Sequence, residues 1–171
     1  VDFDAYNLLM TETHDALGNR VTVETNDYRV LQPRLVSDPN RNQTEVAFDA
    51  LGMVVGTAVM GKPPPAPPEG DWLNEEFIAE LSPEQLAAFF DAIDPHASAS
   101  SLLQNASTRI VYDLDRFWQT QRAHPDDPSQ WQPVCAATLA RETHATAPLP
   151  PHGLKIQLSF SYSDGFGREI Q

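Results

Sequence analysis

The chain has 171 residues, enough for one domain with a real core, and 41% of them are hydrophobic. Eleven basic residues against 24 acidic ones give a net charge of −13, which disfavours binding to nucleic acid or to anionic membrane surfaces. No apolar run approaches the ~20 residues of a membrane span, and the lone Cys135 excludes an internal disulfide or a thiolate metal cluster.

Residues 1–62 read as β structure. Val21 and Val23 alternate with Thr22 and Glu24, and Val46 and Phe48 repeat the period of two. Met53 to Met60 is apolar on both faces, as in a strand covered on both sides. Turn signals separate these runs at Ala16 to Asn19 and at Asp38-Pro39-Asn40.

Residues 63–107 read as a proline-rich linker and a helical insert. Five of the six residues 63–68 are proline, which predicts a stiff, extended spacer. Trp72, Leu73, Phe77, Ile78 and Leu81 recur at helical spacing, with Asp71 placed to cap a helix start. Ser82-Pro83-Glu84-Gln85 predicts a second helix with a capping box, an apolar stripe of Leu86, Phe89, Phe90 and Ile93, and an end at Asp94-Pro95. A third short helix is expected over Ala97 to Asn105. Between 63 and 94 there are eight acids and no Lys or Arg. They predict a solvated outer face on helices that pack Trp72, Phe77, Leu81, Leu86, Phe89 and Phe90 onto one side of a sheet, with every carboxylate outward.

Residues 108–171 return to β. Thr108 to Asp113 and Val134 to Thr143 are strand candidates. Ile156, Leu158, Phe160 and Tyr162 alternate strictly with Gln157, Ser159, Ser161 and Ser163. Polar, proline-containing loops over Arg122 to Ser129 and Pro148 to Pro151 would join the three strands into an antiparallel meander. The expected class is mainly β with a helical insert, a β-rich α+β structure in one unit. Val1 follows no leader pattern and the last residues stop in mid-strand, so both ends read as cuts from a longer protein.

A short repeat runs through the chain. Asp15-Ala16-Leu17-Gly18 recurs as Asp49-Ala50-Leu51-Gly52, 34 residues later, and Asp164-Gly165-Phe166-Gly167 is a third copy. Asp bonds to its own following backbone and Gly tolerates positive φ, so each copy predicts a hairpin turn. The apolar residue before the Gly is expected to point into a layer below. The structural turn residues are therefore Asp15, Gly18, Asp49, Gly52, Asp164 and Gly167.

Phe48-Asp49 to Gly52 and Tyr162 to Arg168 resemble the YD-type motif of RHS repeats. The ordered succession of Thr13 to Asn19, Asp27 to Leu31, Asp38 to Gly52, Val55 to Lys62, Ala140 to His144 and Tyr162 to Arg168 resembles the middle-to-C-terminal region of the B component of bacterial insecticidal toxin complexes. The resemblance covers nearly the whole chain. It implies antiparallel RHS-type hairpins in the wall of a secreted β-shell. Its implied partners are the C component, the cytotoxic polypeptide enclosed, and indirectly a translocation channel. The 34-residue interval holds only once, and the insert at 63–107 departs from the repeat.

Chemistry is not prominent, and neither a cofactor nor a metal is expected. Asp38, Asn40, Asn42 and Asp49 imitate a calcium loop, but Gln43 stands where Gly is needed and the twelfth position is Asp; an Asp-Pro-Asn turn is the simpler reading. Cys135 and His144, nine residues apart on one strand, would lie about 30 Å apart at ~3.3 Å per residue, too far for a nucleophile and its base. His144, His152 and Glu142 lack metal-ligand spacing, and Arg141 to His144 is expected to form cross-strand ion pairs on the wall. Ser98 to Ser101 lacks the glycines of a nucleophile elbow. Trp118 and Trp131, with Tyr112, could instead serve an extracellular adhesion or carbohydrate-binding module, although such tryptophans more often pin a loop. The leading expectation is a non-catalytic structural segment.

Overall fold

The computed structural model describes residues 1–73, 75–163 and 169–170. Ten strands form one antiparallel sheet whose spatial order equals the chain order. They are β1 (Asp2–Phe3), β2 (Met10–His14), β3 (Arg20–Asp27), β4 (Gln32–Ser37), β5 (Gln43–Phe48), β6 (Val54–Met60), β7 (Thr108–Asp113), β8 (Val134–Arg141), β9 (Ile156–Ser163) and β10 (Glu169–Ile170). Three helices accompany them: α1 (Pro83–Phe90), α2 (His96–Leu103) and α3 (Arg116–Ala123). The expected meander is β7-β8-β9, paired in full register from Thr108↔Ala140 to Arg141↔Ile156.

The core lies under only part of this sheet. Phe89, Ala99, Leu103 and Ala106 of the insert pack on Val111, Ala137 and Leu139, with Leu158 and Phe160 alongside. These sheet residues share one face because the register places Val111, Ala137 and Phe160 in one row and Leu139 beside Leu158. Phe89, Phe90 and Phe160 meet with ring centroids 5.1–6.3 Å apart. None of β1 to β5 contributes to this buried cluster.

Helix α1 forms as its local sequence dictates. Ser82 Oγ accepts from Gln85 N, and Gln85 Oε1 accepts from Ser82 N, which closes the capping box. The helix predicted from Asp71 to Leu81 does not form among the described residues; 71–73 and 75–81 lie against the sheet as irregular chain. Its backbone is claimed from outside: Trp72 N donates to Asn105 O at 3.1 Å, and Arg109 Nη2 donates to Ile78 O at 2.6 Å. Phe77 inserts over Gly56, where a Cβ would stand 2.4 Å from its Cζ. Tertiary contacts thus outweigh the helical period.

Two further expectations are corrected. Residues 63–68 are not an extended spacer. Ala66 N bonds to Pro63 O, Gly61 N bonds to Glu69 O, and a bridge joins Met60 to Gly70, so the prolines turn the chain back on itself. Leu17 and Leu51 do not point into a lower layer; they are 88% and 73% exposed. Each sits at a turn tip, beyond the reach of the sheet's packed face. The polar segment after β7 also holds α3, which no apolar stripe announced.

Candidate functional site

The distinctive features of the described residues are a series of aspartate-capped turns along the sheet and an acidic insert anchored through one buried carboxylate.

The turns share one geometry. In Asp15 to Asn19, Asp15 Oδ1 accepts from Leu17 N and Asn19 N, Gly18 N bonds to Asp15 O, and Gly18 has φ 84°. In Asp49 to Met53, Asp49 Oδ1 accepts from Leu51 N and Met53 N, and Gly52 has φ 82°. The same construction appears at Asp38, where Asn42 N bonds to Oδ1 and Arg41 takes φ 69°. Asp4 does the same, with Oδ1 accepting from Tyr6 N and Leu8 N while Asn7 takes φ 53°. Sequence reading missed the Asp4 copy and read Asp38 only as a plain turn, because the fourth position holds Asn or Arg instead of Gly. An Asp followed three residues on by any residue able to take positive φ was the available signal. Asp164 and Gly167 lie outside the described residues.

At two of these turns, Asp15 and Asp4, hydrogen-bond donors favour the charged carboxylate. At Asp15, hydrogen bonds from the Asn19 side chain and backbone lower the pKa. At Asp4, the loss of solvent works the other way, but the Leu8, Tyr28 and Leu9 bonds prevail and the pKa is lowered. Asp38 and Asp49, the ends of the imitated calcium loop, both spend an oxygen on their own turn, and Asp38 Oδ2 also takes Asn42 Nδ2.

The strand order places the turns at Asp4, Asp27 and Asp49 at one end of the sheet, together with the chain leaving β7. That end carries exposed apolar side chains: Tyr6, Tyr28, Leu51, Leu114, Phe117 and Trp118. Tyr6 and Tyr28 meet edge to face, with centroids 6.1 Å apart, and Tyr28 Oη donates to Asp4 Oδ2. These side chains make a rim in which exposed aromatic and aliphatic groups alternate with the turn aspartates.

The insert's anchor is Asp71, predicted as an exposed helix cap and found 1% exposed. Ser107 Oγ donates to its Oδ2 at 2.5 Å, His144 Nδ1 stands 2.9 Å from the same oxygen, and Ala145 N donates to Oδ1 at 2.6 Å. Arg141 Nη1 lies 3.4 Å from Oδ1. Burial opposes ionisation here, but the Ser107, Ala145 and His144 bonds and the Arg141 charge outweigh it, so the carboxyl pKa is lowered. The expectation that all insert acids face outward therefore fails at Asp71. The pairing cation comes from β8, not from the insert. Glu80 stays exposed while accepting from Ala50 N at the β5–β6 turn, and the exposed Asp91 pairs with Arg116 of α3 at 2.8 Å. Glu75 and Glu76 remain exposed.

Arg109, 2% exposed, is another buried charge. Its guanidinium is aimed at Ile78 O and Leu102 O and stacks 4.6 Å from the Phe77 ring centroid. Burial pushes its pKa down to about 10.

The other singled-out residues have local structural work. Cys135 is buried on β8, and burial followed by the Asp113 charge pushes its thiol up to about 11. Trp131 Nε1 donates to His124 O and its ring meets Phe117 edge-on. Arg122 lies over Trp118, and Tyr112 Oη donates to Val54 O. Each of the three rings thus makes a contact of its own.

No family model matches the chain, and no curated protein matches it. Solved structures do. The crystal structure of TcdB2-TccC3 without its hypervariable C-terminal region is similar over 99% of this chain, at 19% identity and TM-score 0.69. The likeness is one of fold. The crystal structure of TcdB2-TccC3 matches 93% of the chain at 24% identity and TM-score 0.59. The Photorhabdus luminescens Tc holotoxin pore matches 98% at 20% identity and TM-score 0.62. This chain spans only 6% to 9% of the length of those chains.

Proposed function

We propose that this chain is a non-catalytic wall segment of a toxin-complex subunit, part of an RHS-repeat β-shell that encloses a cytotoxic polypeptide and helps deliver it. The observation that carries the reading is the agreement in fold, over nearly the whole chain, with TcdB2-TccC3. Three physical features support it. Strictly sequential antiparallel pairing extends a wall without crossovers and satisfies backbone polar groups everywhere but at the edges. The capped turns fix hairpin register without help from a core. Strands β1 to β5 lack a buried cluster of their own, and the turn rim exposes apolar side chains among its aspartates, as suits a sheet completed by further layers of a larger assembly.

In this reading the partners are the C component and its enclosed toxic polypeptide, with the translocation channel reached indirectly, and the complex is secreted. The chain itself does no chemistry: Cys135 is held as a buried thiol, and Ser107 and His144 are spent on Asp71.

The test uses the complete subunit that contains this chain, assembled with its toxin-bearing partner. Wild-type complex should protect the enclosed polypeptide from an added protease. Gly70→Val should expose it, because a Cβ at Gly70 would stand 2.3 Å from Val59 O. Equal protection in an assembled complex that lacks residues 1–171 would overturn the proposal.

A further inference from the structure

The first hairpin gathers three metal-ligating side chains. The register sets Asp2 of β1 directly opposite Glu12 of β2. Side chains alternate along a strand, so His14, two residues on, shares the face of Glu12. One ligand atom from each of the three lies within 4.8 Å of the other two.

Their present partners leave these donors available. The side chains of Asp2 and His14 make no hydrogen bond or ion pair among the described residues. Glu12 has one ion pair, Oε1 to Arg20 Nη1 at 3.3 Å, with the Arg20 side chain 69% exposed. Such a solvent-screened pair holds its partner weakly. Arg20 also sits opposite His14 in the β2–β3 register, and Thr22 sits opposite Glu12. Two carboxylates set directly across a strand pair repel each other, and a cation between them would turn that repulsion into attraction.

We propose that Asp2, Glu12 and His14 bind a divalent transition-metal cation of the Zn2+ class, tying β1 to β2 at the edge of the sheet. The donor set selects this class: imidazole suits zinc, nickel and their neighbours, whereas calcium and magnesium prefer all-oxygen shells. Three protein ligands leave room for water to complete the coordination. Because the three side chains meet only when β1 is paired with β2, the ion stabilises the folded hairpin by mass action. The site is independent of the role assigned to the wall.

The experiment is a calorimetric titration of the 171-residue chain with Zn2+ at neutral pH and low salt, with Co2+ absorption as a second readout of coordination. Wild type should bind one ion saturably. His14→Gln should weaken binding by at least roughly tenfold, since even outer-shell losses reach that size, and Asp2→Asn should weaken it as well. Arg20→Gln should tighten binding, because it removes a competing positive charge, and His152→Gln should change nothing. Absence of saturable binding, undiminished affinity in folded His14→Gln, or weaker binding in Arg20→Gln would overturn the proposal.

Discussion

Removing the Asp71 carboxylate should be among the most costly single changes in this chain. Asp71→Ala deletes the acceptor of Ser107 Oγ and of Ala145 N, the partner of His144, and the carboxylate that pairs with Arg141. A buried donor left without its acceptor costs about 1–3 kcal/mol, and breaking a buried ion pair on one side costs about 3–5 kcal/mol. These losses overlap. Arg141 also keeps Ala106 O at 2.8 Å and Gln104 O at 2.5 Å, so its charge is not stranded. A net loss of about 3–5 kcal/mol at neutral pH is expected for Asp71→Ala. Asp71→Asn, which retains one acceptor oxygen, should lose less, about 2–3 kcal/mol. Urea unfolding followed by tryptophan fluorescence measures both, with Trp72 next in the chain as a local reporter. The pH dependence has a fixed sign. A carboxyl whose pKa is lowered by folding contributes stability that is fully present above its unfolded value, about 3.9. That contribution is lost as pH falls through the lower folded value. The gap between wild type and Asp71→Ala should therefore narrow below about pH 4. A variant within ~0.5 kcal/mol of wild type at neutral pH, or a gap that widens on acidification, would refute the assignment of Asp71 as the anchor.

Gly52→Val should cost about 1–3 kcal/mol through backbone strain at φ 82°, aggravated by a Cβ placed 3.0 Å from Val30 Cγ1; Gly18→Val, with open space around it, should cost less in the same melting experiment. Gly56→Ala should push Phe77 off the sheet and speed hydrogen exchange at 72–81, since the added Cβ would overlap the ring at 2.4 Å; unchanged exchange would count against the docking of that loop. Phe89→Ala, at a ring 1% exposed, should destabilise by about 3–5 kcal/mol in chemical denaturation. Cys135 should resist a thiol reagent at mildly alkaline pH in the folded chain and react promptly in denaturant, because its thiol is buried and its pKa stands near 11.

Much of the architecture follows from short-range pattern. The alternation at Ile156 to Ser163 is β9, the capping box at Ser82 and Gln85 starts α1, and the repeated Asp-x-x-Gly marks two turns whose bonds run no further than four residues. Each of these is decided by neighbours along the chain, which a sequence displays directly. The first misreadings have the same root: Asn7 and Arg41 take positive φ where glycine was the only sign sought, and α3 buries none of its residues, so it has no full apolar stripe.

What the sequence could not display is long-range partnership. Trp72, Leu73, Phe77, Ile78 and Leu81 fit a helical period, yet Asp71 is drawn onto Ser107 and Ala145, 36 and 74 residues away, and Arg109 takes Ile78 O from 31 residues away. Once these partners claim the backbone and the carboxylate, the helix's own i to i+4 bonds are no longer the better choice. The same holds for Asp2, Glu12 and His14, which only strand pairing brings together. Local propensity fixes strands, caps and turns because its energies act between near neighbours; the placement of the insert and the gathering of charges depend on contacts that exist only after the sheet has formed.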